Sequence, residues 1–140
     1  MKLDLIQLES AFLFVRKTLE NQELPDFMKH RWSRALEKAK VRLLEQPYFA
    51  WQPDKLTLLS IPNQKKDAIG CRFYQANDET CRRLDKLGYC QAFYEGFPCW
   101  HRAAFLLLGI YFGDPREIRF EKAQENPFPS KVSTKVDTFS

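Results

Sequence analysis

Apolar residues recur along the first third of the chain with the period of a helix. Leu5, Leu8, Phe12, Val15 and Leu19 stand three and four apart, the spacing that gathers side chains on one helical face. Asn21-Gln22-Glu23-Leu24-Pro25 interrupts the pattern, and a second stripe follows at Phe27, Trp32, Leu36, Ala39 and Leu43. Pro25 suits the start of this second helix, where its missing N–H would find no intrahelical acceptor anyway. Pro47 ends it, because proline cannot continue the hydrogen-bond ladder. A break this short predicts an antiparallel helical hairpin.

After Pro47 the period shortens. Tyr48 to Trp51, Leu56 to Ile61 and Ile69 to Ala76 read as strands rich in aromatic and aliphatic residues. Gln52-Pro53-Asp54-Lys55 is a tight-turn sequence, and Pro62 to Asp67 a longer polar one. Short connections predict an antiparallel meander. An Arg/Lys-rich connection runs from Asp78 to Gly88, and Tyr89 to Phe93 reads as a further short strand. Gly96-Phe97-Pro98 then leads into a segment from Trp100 to Phe112 that is apolar almost all round. Such a helix must lie buried against the sheet or the hairpin. Gly113-Asp114-Pro115 ends it, and the polar, Pro- and Ser-containing stretch beyond reads as a loose tail or an arm that orders on a partner. The expected architecture is α+β in one domain. A helical hairpin spans 1–46, a small antiparallel sheet and C-terminal helix pack on it over 47–114, and an extended tail covers 115–140.

Composition adds a compartment to this picture. With 140 residues, 44% of them hydrophobic, the chain can bury a core without disulfide staples. Its longest apolar run, Ala103 to Phe112, is about half of the roughly 20 residues that span a bilayer. Met1-Lys2-Leu3-Asp4-Leu5 carries an acidic residue where a signal peptide would be continuously apolar. The expected location is therefore the cytoplasm, where cysteines stay reduced.

All four cysteines fall between Cys71 and Cys99, and His101 follows the last by two positions. Clustering of this kind in a reducing compartment favours a metal over coincidence. Zn²⁺ takes four soft or borderline donors in a tetrahedron, typically thiolate and imidazole. Cys99 and His101 supply two where a loop enters a helix, and the positive helix terminus favours thiolate at Cys99. Cys90 precedes them, and Cys81 and Cys71 compete for the fourth place. Alternation along Ile69, Cys71 and Phe73 points Cys71 toward an apolar face, as a core residue. Three thiolates and one neutral imidazole leave a zinc centre with one net negative charge. Arg82, Arg83, Lys86 and Arg102 lie near enough in sequence to offset it. A shell of four protein ligands has no place for water, so the site reads as structural. The competing reading is a set of ordinary reduced core cysteines; a redox pair lacks its Cys-x-x-Cys.

Charge points to a second property. Arg31, Arg34, Lys38 and Arg42 form one stripe on the second helix, beside Lys29 and His30. Like charges at this spacing repel, and a phosphate backbone would relieve them. Glu37 and Glu45, each three residues after an arginine, can neutralise part of the stripe, which would leave a solvated helix face. The net charge of +4 permits nucleic-acid binding without requiring it. The strand aromatics Tyr48, Phe49, Trp51, Phe73, Tyr74, Phe93 and Tyr94 read as core rather than as base-stacking platforms. No Ser/His/Asp order, phosphate-cradling Gly loop or carboxylate pair suggests an enzyme.

Cys90-Gln91-Ala92-Phe93, followed by Gly96-Phe97-Pro98-Cys99-Trp100-His101-Arg102-Ala103-Ala104, resembles the second half of a SWIM-type zinc finger. That family has Cys-x-Cys, a variable gap and Cys-x-His on a strand pair followed by a helix. Tyr74-Gln75-Ala76 resembles its lead-in, and the likeness covers roughly Trp51 to Tyr111. One position departs: the family's first cysteine would fall at Gly88. The resemblance therefore implies Cys81, Cys90, Cys99 and His101 as the Zn²⁺ ligands, with Arg82 to Tyr89 as an inserted loop. It also implies a non-catalytic role in binding DNA or in protein contacts; DNA is the expected nucleic acid, with RNA as the other candidate. Arg31, Arg34, Lys38, Arg82, Arg83, Lys86 and Arg102 are the candidate nucleic-acid contacts. The alternative is an adaptor or regulatory subunit that meets a protein partner through 115–140, with no small-molecule substrate.

Overall fold

A computed structural model of the chain describes residues 2–46, 48–60, 72–84 and 88–120. Helix α1 (Leu5–Glu20) and helix α2 (Asp26–Glu45) form the expected hairpin. Asp4 caps α1, its carboxylate accepting the Gln7 N–H at 3.0 Å, which satisfies one orphan donor of the first turn. Pro25 stands at the N-cap of α2. Ion pairs Lys40–Glu9 at 2.8 Å and Arg16–Glu37 at 3.8 Å tie early α1 to late α2 and late α1 to mid α2. The two helices are thus antiparallel. Their buried stripes are Leu8, Ala11, Phe12, Val15 and Leu19 on α1, and Trp32, Ala35, Leu36, Ala39 and Leu43 on α2. Leu5 and Phe27, expected at the head of each stripe, are exposed.

Four antiparallel strands follow in the order β1-β2-β3-β4: β1 (Phe49–Gln52), β2 (Lys55–Ser60), β3 (Arg72–Ala76) and β4 (Cys81–Arg83). Pro53-Asp54 makes the two-residue turn between β1 and β2, where Gln52 pairs with Lys55. Across β2 and β3, Leu56 faces Ala76 and Leu58 faces Tyr74, and all four are buried. These pairs set the inward face of the sheet. Phe73 consequently points outward and is 48% exposed, so the inward parity of β3 is opposite to that read from Ile69, Cys71 and Phe73. Cys71 itself, like Pro47, the turn Pro62 to Asp67, Lys86 and the tail from 121, lies outside the described residues.

The segment expected as a fourth strand is instead a short helix, and the fourth strand of the sheet, β4, falls inside the Arg/Lys-rich stretch expected as a connection. Tyr89 makes an isolated bridge to Arg82, then α3 (Gln91–Tyr94) begins with Cys90 as its N-cap. The Cys90 sulfur accepts the Phe93 N–H at 3.4 Å, and this local bond outweighs the strand preference of the Tyr and Phe residues. Helix α4 (Trp100–Tyr111) packs against α1, α2, β2 and β3. Every residue from His101 to Leu108 is buried, as an all-apolar helix requires. Its far end reaches α1, where Tyr111 accepts the Asp4 N–H on its hydroxyl at 2.8 Å and the Gln7 side-chain N–H on its carbonyl at 3.0 Å.

The stretch just after α4 is not wholly loose. Arg116 bonds Asp114 and the Pro53 carbonyl, and Phe120 is buried edge-on against Trp32 at 5.3 Å between ring centroids. The described part of the expected tail, 115–120, therefore contributes to the core. Among the described residues, no helix is long and apolar enough to cross a membrane.

Candidate metal centre

Cys81, Cys90, Cys99 and His101 come together as one buried group. Their nearest ligand atoms all lie within 4.8 Å of one another. Three separate pieces of local structure place them. A tight connection between β3 and β4 is organised by Asn77, whose side-chain oxygen accepts the N–H groups of Glu79 and Thr80 at 2.8 and 2.9 Å. It delivers Cys81 at the first position of β4.

The Arg82–Tyr89 bridge then folds the chain back, and the Cys90 N–H donates to the Cys81 carbonyl at 3.1 Å. This register sets Cys90 opposite Cys81. Gly88, at the point of return, has φ of +129° with open space where a Cβ would stand. Backbone conformation, not crowding, disfavours a side chain here. A cysteine at position 88 would be strained in the same way.

Cys99 is the N-cap of α4, its sulfur accepting the Arg102 N–H at 3.4 Å. His101, one residue inside the helix, turns Nδ1 to within 3.5 Å of the Cys81 sulfur. Its ring is stacked on Tyr74 at 3.8 Å between centroids and 20° between planes. Tyr74 thereby fixes the imidazole plane from the sheet side.

The donor set fits Zn²⁺. Zinc–sulfur and zinc–nitrogen bonds of about 2.3 and 2.0–2.1 Å in a tetrahedron put ligand atoms about 3.5–3.8 Å apart. The Cys81–His101 separation already matches, and the remaining pairs need to close by about an ångström at most. Three sulfurs and one imidazole are soft and borderline donors, which favours zinc over the hard cations Mg²⁺ and Ca²⁺. Two of the sulfurs also accept a backbone N–H at a helix start, an environment that stabilises thiolate.

Electrostatics inside the cluster are strained when three thiols stand alone. Burial pushes Cys81 well above the ordinary thiol range, and burial also leads in pushing Cys99 up to about 12. Hydrogen bonds from Cys81 and then Cys99 hold Cys90 far below that range, making it the thiolate of the three. Burial lowers His101, so its imidazole is neutral and can donate a lone pair. A divalent cation is the partner that lets all three sulfurs ionise together.

Arg102 lies beneath this group and is completely buried. Its guanidinium sits over the rings of Trp32 and Phe93, at 5.0 and 5.3 Å, and donates to the Asp78 carbonyl at 2.8 Å. Burial lowers its pKa, and attraction to Cys99, Cys81 and Cys90 counters this. Arg102 is a counter-charge to the sulfurs from the core side. It has no surface to offer a nucleic acid, which removes it from that expected set.

The other expected contacts divide. Arg31, Arg34 and Lys38 are exposed on α2 and line a trough of about 1310 Å³, together with Arg42, whose far wall is Cys90, Cys99, Trp100 and His101. Arg82 is exposed but borders a different depression, beside Asp54 and Glu79, and Arg83 is half-buried. Sequence reasoning placed the stripe on α2 without its relation to the metal cluster, which depends on how α4 crosses α2. It also missed Trp100 as a wall of that trough and Tyr74 as the support of His101. Their ring contacts cross between elements, and only the Cys99–His101 spacing hinted at them.

Compared with protein-family models, with curated proteins and with solved structures, the chain finds no match in any of the three.

Proposed function

We propose that the chain is a non-catalytic, zinc-structured accessory protein that binds nucleic acid, with a SWIM-like finger whose first ligand has moved from position 88 to Cys81. The closed set of four protein donors leaves no open coordination position for a substrate or water, which supports a structural centre. A reducing compartment such as the cytoplasm suits three buried thiols.

One observation carries the nucleic-acid reading. The carboxylate that the sequence places to neutralise Arg34 is turned elsewhere: Glu37 pairs with Arg16 of α1. Among the described residues, no ion pair engages Arg31, Arg34, Lys38 or Arg42. Exposed cations held side by side on a rigid helix suit a phosphate backbone.

Elemental analysis of freshly purified protein tests the metal, with one zinc per chain expected; less than about half an equivalent refutes it. Binding to mixed DNA and RNA, titrated with salt, tests the partner. Affinity should fall steeply with salt, and Arg31→Gln/Arg34→Gln/Lys38→Gln should flatten the slope by about three. Binding that survives high salt unchanged refutes a phosphate-led interface.

A second reading, an adaptor or regulatory subunit, is favoured by the outer face of α1. Ile6, Leu13 and Phe14 are exposed there at 81%, 57% and 55%, and exposed apolar patches mark protein contacts. Salt-resistant co-purification of a protein, lost in Ile6→Ser/Leu13→Ser with zinc retained, would favour it.

A further inference from the structure

We infer that the trough between α2 and the metal-bearing loops takes single-stranded nucleic acid, with Trp100 as the stacking surface for a base. This deepens the nucleic-acid reading above and rests on it.

The trough has two unlike walls. One is the cationic stripe of α2, and the other is the loop–helix junction that carries Trp100. Arg42 stands 6.0 Å from the Trp100 centroid, so a cation and an aromatic ring meet across it. Asp26 and Glu37 also border the trough. Against four cations, the lining keeps a net charge of +2 before His30 is counted, from Arg31, Arg34, Lys38 and Arg42 less the two carboxylates.

The metal centre takes only part of that charge. Buried Arg102 faces it from the core side, and Lys38 and Arg42 act on His101 from the trough. Arg31 and Arg34, both exposed, are left for an external anion.

Size and shape choose the anion. About 1310 Å³ exceeds the roughly 300–1,000 Å³ of small-molecule pockets, which suits a polymer. A duplex presents phosphates on a convex rim and keeps its base faces stacked inside. Neither Trp100 nor Phe27, which is 60% exposed at the mouth, could reach a base face in it. A single strand offers phosphates and open base faces together, the combination that aromatic and basic grooves bind.

The test uses the full, zinc-loaded chain and dye-labelled probes of about ten nucleotides: an oligothymidylate, an oligouridylate and a duplex of equal length. Either single strand should bind at least about tenfold tighter than the duplex and quench tryptophan emission. Trp32 is fully buried, so it should contribute little to the quenching. Trp100→Leu should weaken single-strand binding about tenfold without changing duplex binding, and Trp100→Phe should restore most of it. Equal affinity for duplex and single strand, or single-strand binding without quenching, overturns this inference and leaves the broader reading standing. Failure of every probe to bind at low salt overturns both. Should Trp100→Leu lose zinc, the affinity ratio and the quenching in the unaltered protein still decide.

Discussion

Two regions of this molecule are held together by different means. The helical side, α1, α2 and most of α4, is an apolar interface in which Leu8, Val15, Leu36, Leu43, Leu107 and Leu108 are essentially inaccessible. The opposite end, from β4 to the start of α4, is a three-residue strand, a single bridge and a four-residue helix. Helices this short do not form alone, and the side chains that meet there are sulfur, imidazole and guanidinium. The first region is stabilised by many small, replaceable contacts and the second by a few irreplaceable ones. Damage should therefore be graded in one and nearly all-or-none in the other.

Removing a metal ligand should give the largest effect. Binding free energies at structural zinc sites are of order 10 kcal/mol and appear as folding stability. Cys90→Ser, or a strong chelator on the unaltered chain, should abolish cooperative unfolding of the 81–102 region. In hydrogen exchange, the Phe93 and Arg102 amides that donate to sulfur should lose protection first. Amides in the middle of α1 and α2 should lose less. Uniform loss along the whole chain would show that the two regions are one cooperative unit.

Leu107→Ala probes the other side. Leu107 is fully buried on α4, and truncating such a leucine costs about 2–5 kcal/mol through lost burial and a cavity. The melting temperature should fall while zinc stoichiometry stays at one. Metal loss in this variant would erase the contrast.

How much of each region could be read in the chain follows from the same difference. The helices were legible because their apolar period is long and repeated, and Trp32 through Leu43 fell where the stripe put them. Where one local bond decides, periodicity was mute: Gln91–Tyr94 is a helix because the Cys90 sulfur caps it, although its Tyr and Phe residues favour a strand. The parity of β3 was misjudged because Phe73 and Tyr74 are both aromatic, and what turns Tyr74 inward, its pairing with Leu58 and its stacking on His101, lies on other elements. Phe120 was lost in a polar stretch, since its partner Trp32 is far away in sequence. The four residues that could hold a metal stood out by clustering. What could not be seen was why Cys81 serves, because that depends on the register of a hairpin returning at Gly88.

Gly88 offers a sharper test of that hairpin. Its φ of +129° is a conformation that other residues adopt at a cost of about 1–3 kcal/mol. Gly88→Ala should destabilise by about that amount and weaken zinc retention against a competing chelator, since Cys81 is registered through this return. Gly88→Cys in a Cys81→Ser background should fail to restore one zinc per chain. Full restoration would show that the strained return does not exclude a ligand at position 88.

The smallest expected effect lies on the surface strap that follows α4. Asp114 accepts three bonds from the Arg116 side chain, two from Nε and one from Nη2, and one from its backbone N–H, and these hold its carboxyl below the ordinary 3.8. A carboxyl lowered on folding stabilises the native state above its unfolded pKa. That contribution is lost as pH falls through the lower, folded value, where the native state finally takes up the proton. The gap in stability between the unaltered chain and Asp114→Asn should thus be constant near neutrality and shrink only below about pH 4. Because the Arg116 side of the pair is exposed and screened by solvent, the gap should be small and should narrow further in high salt. A gap that instead opened on acidification would mean that the carboxylate is not the stabilising form. The Arg116 contact to the Pro53 carbonyl would then hold the strap by itself.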